Sequence, residues 1–187
     1  MAISDRNFDT RLSYGSRVNP LVVLIAIAMI VFVVLAFFRA LTYVRLPPGS
    51  DVAGVFNKNV LSWFALSGDV EKALAKPWTV LSYSFVHTGI WQLFANLIWL
   101  WCFGYILIDL TGVKKIVPVF LYGTVIGAVA FLVALRFMPF AGAGDSQYFS
   151  GGGAAVLAVC AAATTVSPNY KILPMLGGGF SLWILSI

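Results

Sequence analysis

Long apolar runs separated by short polar segments form the main pattern of this chain. The first run, VNPLVVLIAIAMIVFVVLAFF, lies between Arg17 and Arg39 and contains no charged residue. A helix needs about 20 residues to cross a hydrocarbon core about 30 Å thick, and this run is apolar on every face. It predicts a membrane-spanning helix over residues 20–40.

Three further apolar runs follow, and the last of them is rich in alanine and glycine. They predict spans over residues 90–108, 116–136 and 151–166. No segment between the runs is long enough to fold separately, and no repeat is visible. We therefore expect one all-α membrane domain, a polytopic helical bundle over residues 20–187, preceded by a cytoplasmic segment over residues 1–19.

A fifth apolar run begins near Ile172 and differs from the others. It contains Pro174 and the glycines 177–179, and it reaches Ile187 without a polar flank. Because the run is short for a span, we expect only the start of a fifth helix here. Either the sequence ends inside a helix or further protein follows it. The expected bundle has at least four full spans and part of a fifth.

The composition is that of a protein whose solvent is lipid. The 187 residues are 60% hydrophobic and 10% charged, with a mean hydropathy of +0.93, whereas about 25% of the residues of soluble domains are charged. The net charge of +5 favours contact with anionic lipid headgroups, but no basic cluster with interleaved aromatics predicts nucleic-acid binding. Cys102 and Cys160 fall within predicted spans, so we expect neither disulfide, metal nor cofactor.

Basic residues flank the runs unevenly and predict an orientation. Three arginines precede the first span, and Lys114 and Lys115 separate the second span from the third. Since cytoplasmic loops favour lysine and arginine, we expect a cytoplasmic N-terminus in a plasma membrane, such as a bacterial inner membrane. A cleaved signal peptide is the alternative for the first run, but the run is long and FFRALTY after it lacks a small-residue cleavage site.

Residues 42–88 form the one sizeable segment between predicted spans. Apolar side chains recur in it at helical spacings, namely Val55, Phe56, Val60, Trp63 and Phe64. This pattern predicts a helix in the membrane interface with its aromatic side chains buried. A peripheral loop packed on the bundle is an equal alternative.

Small residues mark the third and fourth spans. Gly123 and Gly127 have GxxxG spacing in the third span, and Ala154 and Ala158 have the same spacing in the fourth. Small side chains let helix backbones approach closely in lipid. We predict that these residues pack the two helices together and that the fourth span lies centrally.

Polar residues at the start of the second span are the candidates for chemistry. His87 stands at its mouth, and Gln92 and Asn96 follow four residues apart on one helical face. An unpaired polar group in lipid is costly, so both amides should point into the bundle. They either fix helix packing by hydrogen bonds to the fourth span or belong to a functional site.

The string KPWTVLSYSFVHTGIWQLFANLIWLWCFG resembles the second span of rhomboid intramembrane proteases. The family motif there is His, four residues, His, three residues, Asn, which corresponds to His87, Gln92 and Asn96. TGVKKIVPVFLYGTVIGAVAFLVAL resembles the third span, and SGGGAAVLAVCAAATTVSPNY resembles the fourth, which opens with Gly-x-Ser-x in the family. The resemblance runs from about Lys76 to Tyr170.

The resemblance implies a serine protease fold, from which this chain departs at the catalytic positions. Rhomboids use a serine at the start of span four and a histidine in span six, while the second histidine and the asparagine of span two stabilise the oxyanion. Gly153 stands at the serine position and Gly151 at the leading glycine. Gln92 replaces the second histidine. Ser150 is the alternative nucleophile, but it lies three residues early and is typical of a helix N-cap.

Three classes of function follow. We expect a rhomboid-like pseudoprotease that binds transmembrane helices or serves as a subunit of a larger membrane complex. The alternative is an active intramembrane serine protease that uses Ser150, or a shifted alignment, with a histidine beyond Ile187. A transporter or channel is disfavoured because Asp109 lies at a span end and no span carries a central charge. Haem ligation by His87 lacks a second axial candidate.

Overall fold

The computed structural model describes residues 18–137 and 148–168, together with the backbone of 171–172 and 180–181. Its α-helices in this part of the chain are α1 (Pro20–Arg45), α2 (Val52–Asn59), α3 (Val70–Ala75), α4 (Thr79–Ser82), α5 (Ile90–Thr111), α6 (Ile116–Phe137) and α7 (Gly153–Val166). Two strand pairs are also described, β1 (Leu66–Ser67) with β2 (Tyr148–Phe149) and β3 (Lys171–Ile172) with β4 (Phe180–Ser181), both antiparallel.

Helices α1, α5 and α6 are long and apolar enough to cross a membrane. Asn19 caps α1 by accepting a hydrogen bond from the Leu21 N–H, and Pro20 occupies the first turn, where its missing N–H costs nothing. Gly112, at a φ of 84°, ends α5 and lets the chain reverse into α6. The sequence-based prediction of a helical membrane bundle is confirmed.

Helix α7 is shorter than the predicted fourth span. Its 14 residues rise about 21 Å, which is less than the thickness of a hydrocarbon core. The helix starts late because Gly151 has a φ of 113°, which no right-handed helix contains, and Gly152 is the N-cap. The described residues therefore hold three helices of spanning length, and four full spans are not confirmed.

The predicted fifth span lies mainly outside the described residues. At the positions described there, Lys171 pairs with Ser181 and Ile172 pairs with Phe180 in extended backbone. The chain is thus not helical at residue 172, where the span was expected to start. Pro174 and the glycines that follow it disfavour a helix. Residues 1–17 of the predicted N-terminal segment also lie outside the description.

Helix α7 packs between α5 and α6, with its closest approach to α6. A Cβ atom on Gly123 would overlap the Cβ of Ala158, and one on Gly127 would overlap the Cβ of Ala154. The two backbones can approach this closely because each pair joins a glycine to an alanine. Residues of α1, α5, α6 and α7 fill the main apolar core, among them Leu24, Leu100, Phe103, Phe120 and Val159.

The segment between α1 and α5 folds back against the bundle. Phe56 of α2 is buried in a cluster with Leu35 of α1. The expected helix ends at Asn59 and gives way to a 3-10 turn, Leu61–Trp63. Of its aromatic side chains, Phe56 is buried, whereas Trp63 is 52% exposed.

The exposed aromatic residues of this segment lie together. The Trp63 and Trp78 rings stack with centroids 6.4 Å apart, and Lys76 Nζ lies 4.3 Å from the Trp63 ring centroid. Tryptophan beside lysine is typical of the level where lipid headgroups meet the hydrocarbon core. One part of the segment thus packs on the bundle and another presents aromatic rings outward, and its position in the membrane interface stays a prediction.

Candidate functional site

His87 is the centre of a buried polar cluster where the chain enters α5. The side chain is 2% exposed, and its Nδ1 atom lies 3.1 Å from the carbonyl oxygen of Phe85. A carbonyl can only accept, so Nδ1 carries the proton. Nε2 of the neutral ring then accepts hydrogen bonds from Asn96 Nδ2 at 3.1 Å and from the Gly152 N–H at 3.4 Å.

The environment of His87 keeps the imidazole neutral. Burial lowers its pKa below the ordinary value, and the hydrogen bond to the Phe85 carbonyl opposes that shift in part. A proton on Nε2 would face the donors of Asn96 and Gly152, which disfavours the charged ring further. The lone pair of Nε2 therefore accepts hydrogen bonds from Asn96 of α5 and from Gly152 before α7, and so connects the two.

Gln92 makes the second connection between α5 and that loop. Its Nε2 donates to the Ser150 carbonyl oxygen at 3.0 Å, and its Oε1 accepts from the Thr88 N–H at 3.4 Å. The loop is fixed from another side by the Gly151 N–H, which donates to the Tyr83 carbonyl oxygen at 3.0 Å. The amides of α5 thus contact the residues before α7 and the His87 ring rather than α7 itself.

Tyr83 is a member of this cluster that the sequence analysis missed. It is fully buried, and its hydroxyl donates to the Thr124 carbonyl oxygen of α6 at 2.7 Å. Tyr83 therefore links α6 to the loop that carries Gly151. A tyrosine in the string SYSF gives no sequence signal for such a role.

The three glycines at the start of α7 differ in the space around them. A Cβ atom on Gly151 would overlap Gln92 Nε2, and Gly151 also has a positive φ. A Cβ atom on Gly152 would lie 2.9 Å from the Ser84 carbonyl oxygen. At Gly153 the nearest atom would be Asn96 Oδ1, at 3.9 Å. A side chain fits at Gly153, where none is present, and does not fit at the other two.

Ser150 does not cap α7. The N-cap is Gly152, and no side chain makes a capping hydrogen bond there, because two residues separate Ser150 from the first residue of the helix. The Ser150 hydroxyl makes no hydrogen bond to another described residue. Ser150 lines a cavity of about 440 Å³ that His87 and Thr88 also line.

The cluster has the character of a polar binding site or a structural junction. A nucleophile paired with a base requires a hydroxyl within about 2.6–3.2 Å of an available imidazole nitrogen. His87 has no hydroxyl partner among the described residues, and both of its nitrogens have other partners. Within the same residues, no group of three histidine, cysteine or acidic side chains could hold a metal ion.

Comparison with known proteins adds one finding. A family model described as the rhomboid domain matches residues 74–186. The match covers more than half of the chain and includes the His87 cluster and α7. A comparison with curated proteins found no match.

Proposed function

The chain belongs to the rhomboid family of integral membrane proteins, and on that premise we propose that it binds transmembrane helices without hydrolysing them. It acts either by itself or as a subunit of a larger membrane complex. The proposal has two parts, the missing hydrolysis and the helix binding, and each rests on its own observation.

The observation that carries the proposal is the glycine at the start of α7. The resemblance to the family motif puts Gly153 at the serine position, which then has neither a hydroxyl nor any other nucleophile. His87, the single histidine of the sequence, holds Asn96 and Gly152 instead of activating an attacking atom. The remaining cluster keeps the loop before α7 in place, which suits a binding protein.

Helix binding is supported by an exposed stripe on α5. Large apolar side chains recur there at alternating steps of three and four residues, namely Trp91, Phe94, Ile98, Trp101 and Tyr105. This spacing is the one by which two helices pack along a seam. The spacing of these exposed side chains therefore supports the binding of a partner helix along α5.

Trp101 distinguishes a partner helix from lipid on this stripe. It lies midway along α5, is 61% exposed, and its indole N–H has no acceptor among the described residues. Tryptophan is enriched at membrane interfaces rather than at the centre, because hydrocarbon offers no hydrogen-bond acceptor. A neighbouring helix can provide one through a polar side chain or a carbonyl group.

Site-specific photo-crosslinking in cells tests the helix binding. A benzophenone side chain at position 101 should form adducts with transmembrane segments of other proteins. The same group at Tyr122, which is 71% exposed on α6, is the matched control and should react mainly with lipid. Equal protein adducts from both positions would contradict a specific helix-binding face.

A second candidate function is proteolysis with Ser150 as the nucleophile. One observation favours it, since Ser150 and His87 line the same cavity. If His87 were the base, its Nε2 atom would have to give up the hydrogen bonds of Asn96 and Gly152, whereas a histidine beyond Ile187 would leave them in place. It also predicts covalent labelling of Ser150 by serine-reactive probes.

We also propose a cytoplasmic N-terminus in a bacterial inner membrane. Lys114 and Lys115, both exposed, lie in the short turn between α5 and α6, and three arginines precede α1. Two helices of spanning length, α1 and α5, separate the two sets, so both sets lie on the same side of the membrane. Reporter fusions after Lys115 should be active on the cytoplasmic side, and periplasmic activity there would reverse the orientation.

A further inference from the structure

The cavity beside His87 lies between α1 and α2. Its volume of about 440 Å³ falls in the range of small-ligand sites, which is about 300–1,000 Å³. Helix α1 contributes one face to it, through residues spaced by three and four: Phe32, Leu35, Ala36 and Arg39. Helix α2 faces them with Phe56 and Asn57.

The cavity is lined by apolar and by polar residues. Phe32 and Leu35 form the apolar wall, and Arg39, Asn57 and Ser150 supply polar groups. These three side chains can donate hydrogen bonds, and His87, Thr88 and Tyr148 are further polar residues of the lining. Among the described residues, no aspartate or glutamate lines the cavity, so the polar lining described is complementary to an anion.

These donors are largely unused within the described part of the chain. Arg39 has one hydrogen bond, 3.5 Å long, to the Thr88 carbonyl oxygen, and no carboxylate lies within salt-bridge distance of it. The Asn57 amide and the Ser150 hydroxyl make no hydrogen bond to another described residue. Three donor side chains that line one cavity, with a single long hydrogen bond among them to the described residues, are available to an external acceptor.

The position of Arg39 identifies the class of that acceptor. Arg39 precedes the end of α1 by about two turns, in a helix of 26 residues that is apolar on its other faces. Arg39 follows the apolar run and lies where the predicted span ends, and phospholipid phosphates are the anions available to a cation there. The apolar wall continues from Arg39 toward the membrane interior, along the path of an acyl chain.

We propose that this cavity binds one anionic phospholipid. Its phosphodiester accepts hydrogen bonds from Arg39, Asn57 and Ser150, and one acyl chain lies along Phe32 and Leu35. A zwitterionic lipid fits less well, because the described lining offers no acidic side chain to a choline cation. This inference is independent of the proposed helix binding, which involves α5.

Lipid binding to the purified full-length protein in detergent tests the proposal. Dioleoylphosphatidylglycerol should bind and raise the thermal midpoint, and dioleoylphosphatidylcholine should do so much less. Arg39→Gln should weaken phosphatidylglycerol binding about tenfold, the expected effect of losing a charge-assisted hydrogen bond. Arg45→Gln is the matched control, since Arg45 is on the same helix outside the cavity, and it should leave the affinity unchanged.

A second variant tests the effect of the cavity volume separately from the effect of the Arg39 charge. Ala36→Trp fills the space beside Arg39 and keeps the cation, so it should also weaken phosphatidylglycerol binding. Equal binding of the two lipids, equal effects of R39Q and R45Q, or unchanged binding in A36W would each overturn the proposal. Stabilisation by inorganic phosphate equal to that by phosphatidylglycerol would also overturn it, because the cavity would then be a simple anion site.

Discussion

His87 Nε2 and Asn96 Nδ2 lie 3.1 Å apart, and this hydrogen bond defines what the imidazole does in this protein. The Gly152 N–H approaches the same Nε2 atom at 3.4 Å. A ring nitrogen with two donors has no lone pair left for a hydroxyl. His87 therefore connects α5 to the start of α7 by hydrogen bonds.

Removing the hydrogen bonds of His87 Nε2 should destabilise the protein. His87→Ala leaves the buried donors of Asn96 and Gly152 without an acceptor, which should cost about 1–3 kcal/mol. His87→Gln places an amide oxygen near the position of Nε2 and should recover part of the loss. Unfolding in mixed detergent gives both values. Equal stability of the alanine variant and the wild type would show that the hydrogen bonds contribute nothing.

Stability should fall at acidic pH because of His87. Its pKa is lowered in the folded protein, so between about pH 6.5 and the folded-state pKa the unfolded chain binds a proton that the folded chain does not. Stability should be flat above about pH 7 and should decrease as the pH falls through this window. Thermal midpoints at several pH values measure the slope, and His87→Gln should reduce it. An identical slope in the variant would assign the effect to other groups.

The glycines before α7 should respond differently to substitution. Gly151→Ala puts a Cβ atom at a φ of 113° and against Gln92 Nε2, which should cost about 2 kcal/mol or more. Gly153→Ser places its Cβ in ordinary van der Waals contact with Asn96 Oδ1, at 3.9 Å, and should change stability by less than about 1 kcal/mol. Unfolding free energies of the two variants provide the comparison. A Gly153→Ser protein as unstable as Gly151→Ala would contradict the geometry.

The contact of α6 with α7 should not tolerate a larger side chain. Gly127→Leu forces a side chain into Ala154 and Tyr83 and should cost about 1–3 kcal/mol, or prevent folding. Ala130→Leu adds the same side chain to an exposed position of α6 and should be nearly neutral. Folded yield and thermal midpoint measure both. Similar losses in the two variants would show that helix length or hydrophobicity matters more than the contact.

The sequence predicted the long helices because their apolar runs exceed the thickness of a bilayer. It overestimated α7, since the backbone conformation of Gly151 comes from its contacts with Gln92 and Tyr83 and leaves no local apolar pattern. The extended pairing at Ile172 depends on Phe180, which is also not visible in hydrophobicity.

The candidate functional site could also be predicted only in part, because several of its contacts join segments that are distant in the sequence. Helical spacing placed Gln92 and Asn96 on one face, but their partners come from a distant loop and from the His87 ring. Arg39 gave only the signal of a charge after an apolar run. Its place in the cavity follows from α2 folding back along α1, which no local pattern specifies.

Labelling with a fluorophosphonate probe tests the central claim most directly, which is that this rhomboid family member does not hydrolyse peptide bonds. The full-length protein should remain unlabelled in detergent and in vesicles, as should Ser150→Ala, while an active rhomboid protease in the same preparation is labelled. Labelling of the wild type that disappears in Ser150→Ala would contradict the account and establish Ser150 as a nucleophile.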